Sequence, residues 1–467
     1  MTPAGSGAQP LRIALVGTRG VPARYGGFET CVEEVGTRLA ARGHDVVVYC
    51  RRLAGDSSHS APEPSSYRGM SLVHLGALKR RSLETLSHTG LSVAHLARHR
   101  SDIAVVFNSA NSPWLPVIKM SRIPVATHVD GLEWQRGKWG PVGRRYYQVA
   151  ERLAVWWSKA LIADAVGIAD YYREKFDADT DLISYGAPRI EGDASDRIAE
   201  LGLRRGGFHL VVARFEPENH VDVIVDGYRK SAATLPLIVV GSAPYADEYT
   251  RKVHALADDR VRFLGGVWDQ ELLDQLYANS FTYLHGHSVG GTNPSLLRAL
   301  GAGAATTAFD VIFNREVLGE SGLYFAGADD VARLVEQSEA DVEGTRARGQ
   351  QSAERASLYD WDDVADRYEA LCRRLVAQRS GRRVKARGNP PANPPANPPA
   401  NPPANPPANP PANSVANSAG DSQVSVPASY GVSTNKQSAV RIIDRLRRGS
   451  SVSSERVEMY AGTGGHS

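Results

Sequence analysis

Residues 12–17, RIALVG, form a short apolar run, and a glycine-rich loop, TRGVPARYGG, joins it to the helical pattern FETCVEEVGTRLAARG. An apolar run of that length beside turn residues fits a strand buried on both faces. After the loop, Phe28, Val32, Val35 and Leu39 fall at helical spacing, and Gly43 stands where the helix would end. DVVVYC (45–50) then reads as a second strand. Strand, loop, helix and strand in about forty residues make one βαβ unit, which implies a parallel sheet with helices on its faces.

The pattern continues through DIAVVFNS (102–109) and PVATHVDG (124–131), and a second series starts at 209–220 and runs through 236–244, 261–267 and 281–286. Two successive α/β halves predict two Rossmann-like domains facing a cleft. WDDVADRYEALCRRLV (361–376) places Val364, Tyr368, Leu371 and Leu375 on one helical face, as a closing helix would. The expected organisation is a flexible start (1–10), a first domain (11–190), a second domain (191–350), the closing helix (351–378) and a tail (379–467).

The tail differs in kind from the body. NPPA recurs six times between Asn389 and Ala412, a composition that favours an extended, disordered spacer. The net charge of +3 conceals an asymmetry: residues 379–467 carry eleven Lys and Arg against four Asp and Glu, leaving 43 against 47 in residues 1–378. A mildly acidic body argues against nucleic acid as a partner. Within the tail, KQSAVRIIDRLRRG (436–449) reads as a solvated basic stretch or, alternatively, as a docking element for anionic membrane or an acidic partner. Cys31, Cys50 and Cys372 are too few for a disulfide framework or a zinc site and fit a reducing cytoplasm. With no signal peptide at MTPAGSGAQP and no apolar run long enough to span a bilayer, the expected place is cytoplasmic, or peripheral at the inner face of the membrane.

Several residues could carry chemistry. The loop after the first strand lies where a doubly wound fold binds its ligand, and it holds Gly17, Arg19, Gly20, Arg24, Gly26, Gly27 and Glu29. Its glycines admit close backbone approach, and the helix start offers N–H groups to an anion, although the spacing is not G-x-G-x-x-G. His128 and Asp130 close another strand, where a histidine oriented by a carboxylate can meet a sugar hydroxyl. Glu133, Trp134 and Trp139 add polar-plus-aromatic character. Arg214 ends the strand LVVAR and is placed for a phosphate. In HSVGGTNPSLLRALGAG, Asn293 reads as an N-cap and Pro294 as the first helical residue, so Gly290, Gly291 and Thr292 would present N–H groups and a hydroxyl to a diphosphate. A plain capped helix is the alternative, and it leaves the paired glycines unexplained.

The strings VGTRGVPARYGGFET, KRRSLETLSHT, VDGLEWQRGKWG, VARFEPENHVDVIVDGY, GGTNPSLL and FNREVLGESGLYF resemble the family-4 retaining glycosyltransferases of GT-B fold. The likeness is to the subgroup that shares its first domain with bacterial cell-surface rhamnosyltransferases. It implies an acceptor, a saccharide or lipid-linked saccharide, held by the first domain and a nucleotide sugar held by the second. His128 and the Gly17 loop would contact the transferring sugar, Arg214 and the 290–292 turn the diphosphate, and Gly241 and Val267 the nucleoside. The resemblance implies no cofactor and no metal. Two departures stand out: Asn219 replaces the family lysine, and Gly290 and Arg298 replace its paired glutamates. Arginine has no hydrogen-bond acceptor for a ribose. Arg298 would therefore either fold toward the phosphates in place of the lysine or mark a catalytically impaired binding protein. A nucleotide-dependent oxidoreductase is the remaining alternative, and the absent dinucleotide fingerprint counts against it.

Overall fold

The computed structural model describes residues 9–23, 26–52, 63–78, 83–129, 131–137, 139–191, 194–241 and 247–379. Arg24, Asp130, the NPPA repeats and the basic stretch at 436–449 lie outside the described residues. The first sheet contains β1 (Arg12–Val16), β2 (Asp45–Arg52), β3 (Ser66–Tyr67), β4 (Met70–Gly76), β5 (Ile103–Phe107), β6 (Val125–His128), β7 (Ala160–Ala163) and β8 (Asp181–Leu182). Their spatial order is β3-β4-β2-β1-β5-β6-β7-β8, parallel except for the β3–β4 pair. The second sheet contains β9 (His209–Val212), β10 (Leu237–Val240), β11 (Val261–Gly265), β12 (Thr282–His285), β13 (Thr306–Phe309) and β14 (Leu323–Phe325). It is wholly parallel, in the order β11-β10-β9-β12-β13-β14.

The apolar runs became strands because both faces are covered. Every residue of β5 is buried, and Ile13, Leu15 and Val16 of β1 pair with Ile103, Val105 and Val106 in register. Strand order reverses between β1 and β5 in one sheet and between β9 and β12 in the other. Ligands of doubly wound sheets bind beyond the carboxyl ends of strands at such points. The loops after β1, β5, β9 and β12 are therefore where a site belongs.

The closing helix runs from Trp361 to Arg379. Val364, Tyr368, Leu371 and Leu375 are buried, together with Cys372, against the helix Gly27–Ala41. Arg38 and Arg42 of that helix meet Asp362 and Asp366, each at 2.7 Å. After the second sheet, then, the chain returns to the first. All three cysteines are free and buried, and burial pushes the Cys31 and Cys372 thiols up to about 12. Among the described residues no helix is long and apolar enough to cross a membrane.

Candidate active site

Gly17 leaves β1 at positive φ, tucked under the β5 terminus, where Asn111 Nδ2 donates to the carbonyls of Gly17 (3.2 Å) and Phe107 (2.8 Å). Further along the loop, the Arg19 N–H donates to Glu29 Oε1 at 3.0 Å, while the Arg19 side chain is exposed. Glu29 lies in the first turn of the helix that Gly26 caps. Its carboxylate suits the positive end of the helix and closes the loop back on itself, a bracing role. Gly27 opens the helix, and a Cβ there would lie 3.2 Å from both Pro294 Cγ and Tyr185 Cε2. The helix starts of the two domains thus face each other directly.

His128, at the end of β6, is fully buried. Its ring stacks near Phe107 (centroids 5.5 Å apart) and Tyr185 (5.6 Å), with the edge of Phe28 at 5.3 Å. Burial pushes its pKa down to about 3, so the ring is neutral. Neither nitrogen has a hydrogen-bond partner among the described residues. Leaving such groups buried and unpaired costs about 1–3 kcal/mol each, which marks the position as more than packing. The expected orienting carboxylate, Asp130, falls outside the described residues. Trp134 Nε1 donates to Tyr171 Oη at 3.3 Å, and Trp139 Nε1 donates to Glu133 Oε2 at 3.4 Å.

In the second domain Arg214 follows β9 with its side chain 47% exposed, 3.5 Å from Glu216. Asn219 does not project toward a ligand. Its Nδ2 donates to the Arg214 carbonyl (2.7 Å), its Oδ1 meets His287 Nδ1 (2.6 Å), and it is buried, tying the β9 loop to the β12 loop. Gly241 packs against the Ala213 carbonyl and donates to the Gly265 carbonyl at 2.8 Å, at the carboxyl end of the sheet. Val267, just past β11, packs partly buried on the core. As expected, Asn293 caps the helix Pro294–Gly301, accepting from the Ser295 N–H at 2.9 Å.

The paired glycines serve a contact that the sequence did not reveal. Gly290 has φ 121, and a Cβ on Gly131 of the first domain would lie 2.9 Å from its Cα. At Gly291 a Cβ would overlap the Asp164 carboxylate, and Thr292 Oγ1 donates to the Asp164 carbonyl at 2.5 Å. The Thr292 hydroxyl is therefore committed to the first domain rather than offered to a diphosphate. Two residues on, the Val166 N–H donates to both Glu316 oxygens at 2.9 and 3.0 Å. Asp164 is wholly buried, and burial, reinforced by Glu316, raises its pKa to about 7.

Residues 26–186 match the family described as glycosyl transferase 4-like domain, and residues 208–340 match glycosyl transferases group 1. The chain carries the two domains of a family 4-like glycosyltransferase. Solved structures agree in fold, which is GT-B. Sucrose-phosphate synthase from Thermosynechococcus elongatus matches with TM-score 0.66 and 20% identity, over 79% of this chain and 100% of that one. Anabaena HepE in complex with UDP matches with TM-score 0.61 and 15% identity, over 78% and 100%. WaaG, a glycosyltransferase involved in lipopolysaccharide biosynthesis, matches with TM-score 0.61 and 15% identity, over 77% and 99%. No match to a curated protein sequence was found.

In this glycosyltransferase Arg298 does not fold toward the helix start that precedes it. Its Nη2 donates to Gln270 Oε1 at 2.8 Å and its Nε lies 3.2 Å from Asp274 Oδ1, on the helix Gln270–Asn279. Asp274 explains the choice: burial raises its pKa, and the Arg298 charge opposes that rise. Sequence reasoning missed Asp164, Glu316, Arg136 and Glu218. The strand before Asp164, ALIA, is four residues long, and recognising it would have placed Asp164 at a carboxyl end like His128.

Proposed function

We propose that the chain transfers a sugar from a nucleoside-diphosphate donor to a hydroxyl of a saccharide or lipid-linked acceptor, with retention at the anomeric carbon. The observation that carries this reading is the meeting of the two helix starts, Gly27 against Pro294, with the buried His128 at the end of β6 and the half-exposed Arg214 just after β9. The donor diphosphate would lie near Arg214 and the start of the helix Pro294–Gly301, where a cation and the helix dipole favour its charge. As the bond from the anomeric carbon to the diphosphate oxygen breaks, those groups stabilise the departing anion. The acceptor oxygen bonds to the anomeric carbon on the face the diphosphate leaves and passes its proton to the departing diphosphate oxygen. His128, neutral as buried, would serve the sugar as a hydrogen-bond partner and not as a cation.

HepE has been solved with UDP-glucose as well as UDP, so uridine donors are the first to test. A rhamnosyl donor and a role in cell-surface polysaccharide synthesis rest on the resemblance of the first domain. A cytoplasmic place of work suits the three free thiols, with the basic tail as the part that would meet anionic membrane. We propose metal-free chemistry, because the anion is met by arginine and helix termini. One specific observation favours a second reading, an impaired binding protein: Arg298 brings no acceptor for a ribose and is held by Asp274. Thermal-shift screening with nucleotide sugars, followed by transfer and hydrolysis assays on the donors that stabilise, tests both. Binding with transfer supports the enzyme and binding without it supports the second reading. A chain that no nucleotide sugar stabilises would refute both.

A further inference from the structure

The segment that leaves β6 crosses to the second domain. Gly131 abuts Gly290, and a Cβ on Gly137 would lie 3.9 Å from both Glu218 Oε2 and Pro217 Cγ. Between these two contacts stands Arg136, its side chain only 13% exposed. Its Nε lies 2.7 Å from Glu133 Oε1 of its own domain, and its Nη1 lies 4.0 Å from Glu218 Oε1 of the other. The partly buried His287 has a pKa well below the ordinary range, mainly from burial, and Arg136 is the foremost charge acting on it, ahead of Arg214. His287 Nε2 in turn lies 3.6 Å from where a Cβ of Gly290 would stand. Glu218, 4.0 Å from Arg136, accepts the Ser288 N–H at its carbonyl at 3.0 Å, so guanidinium groups of both domains act on the segment that leads into the helix start.

Glu218 supplies an independent observation. Its side chain is only 4% exposed, both carboxylate oxygens lack a hydrogen-bond partner, and burial with repulsion from Glu216 raises its pKa. The Arg136 charge opposes that rise. On the second domain itself, Asn219 is neutral and fully engaged.

We propose that Arg136, carried by the first domain, is the second cation of the donor diphosphate site, acting opposite Arg214. This rests on the proposed nucleoside-diphosphate donor. Its consequence is that the donor is gripped from both domains.

The test is isothermal titration with UDP and UMP of the parent, Arg136→Ala, Arg136→Lys and Arg214→Ala chains. Arg136→Ala should weaken UDP binding about tenfold or more, as expected for a lost charge-assisted contact. UMP, with a single phosphate, should lose much less, and Arg136→Lys should recover much of the UDP affinity. Rising salt should narrow the gap between parent and Arg136→Ala for UDP. If Arg136→Ala fails to fold, Arg136→Gln, which keeps a donor for Glu133, must show the same selective loss. Loss of UDP affinity in Arg214→Ala but not in the Arg136 variants overturns this inference alone. Equal losses for UDP and UMP in Arg136→Ala also overturn it, as a structural effect. A parent chain that binds neither UDP nor any other nucleoside diphosphate overturns the donor site as well.

Discussion

Replacing Asp164 by Asn should make the protein more stable at neutral and alkaline pH and leave it nearly unchanged in acid. The Asp164 carboxyl is wedged against Gly291, with Oδ1 buried and lacking a partner, and Glu316 beside it adds a repelling charge. Cys31 and Tyr368, on which the Asp164 charge also acts, are buried as well and bring no cation. Lifting this carboxyl from 3.8 to about 7 corresponds to about 4 kcal/mol, at roughly 1.4 kcal/mol per pH unit. The folded protein holds the proton more tightly than the unfolded chain. The cost is thus absent below about pH 4, grows through the window to about 7 and is full above it. Asparagine fills the same space, stays neutral throughout and keeps an oxygen for the Thr292 N–H. Because opening the cleft would let water reach the carboxylate, about 4 kcal/mol is an upper bound, and a gain of about 1–3 kcal/mol is the working expectation. Urea unfolding of parent and Asp164→Asn between about pH 4 and 8 measures it. The stability difference should widen as pH rises to about 7 and then level off. A difference that is constant with pH, or that favours the parent at the alkaline end, would show that the carboxylate finds compensation at the junction and refute the reasoning.

Arg214→Ala should weaken nucleoside-diphosphate binding by roughly one to two orders of magnitude, from the loss of a charge-assisted contact of about 1.5–3 kcal/mol, with acceptor affinity little changed in equilibrium titrations. Arg298→Glu should lower the melting temperature, because it sets a carboxylate beside the half-buried Asp274. The double change Arg298→Glu with Asp274→Asn should restore stability and, if a ribose acceptor is what the parent lacks, raise transfer from ribose donors in a direct assay. Chelation with EDTA should leave transfer unaffected, and a loss restored by a divalent ion would contradict the metal-free reading.

How far the sequence carried these conclusions depended on chain distance. The strands β1, β2, β5, β6 and β9 to β12 were legible because buried parallel strands are continuous apolar runs. The two-residue β8, the three-residue β14 and β13, where Thr306 and Thr307 break the apolar run, were not, since each owes its conformation to neighbours already in place. The paired glycines announced a close approach without naming what approaches. An anion was the expected partner at a helix start, but the group found against Gly291 is the Asp164 carboxylate, with the Gly131 backbone against Gly290. His128 was placed correctly at a strand end, yet its burial depends on Phe28, Phe107 and Tyr185, which three separate segments supply. Asn219 shows the limit most clearly. Read along the chain, it is a missing positive charge. In the fold its two polar ends brace Arg214 and His287, so a lysine there, with donors but no acceptor, would leave the Nδ1 of His287 without the oxygen it meets. A site that uses this position for bracing must find any second cation elsewhere, and the proposed one, Arg136 of the other domain, lies 4.0 Å from the adjacent Glu218.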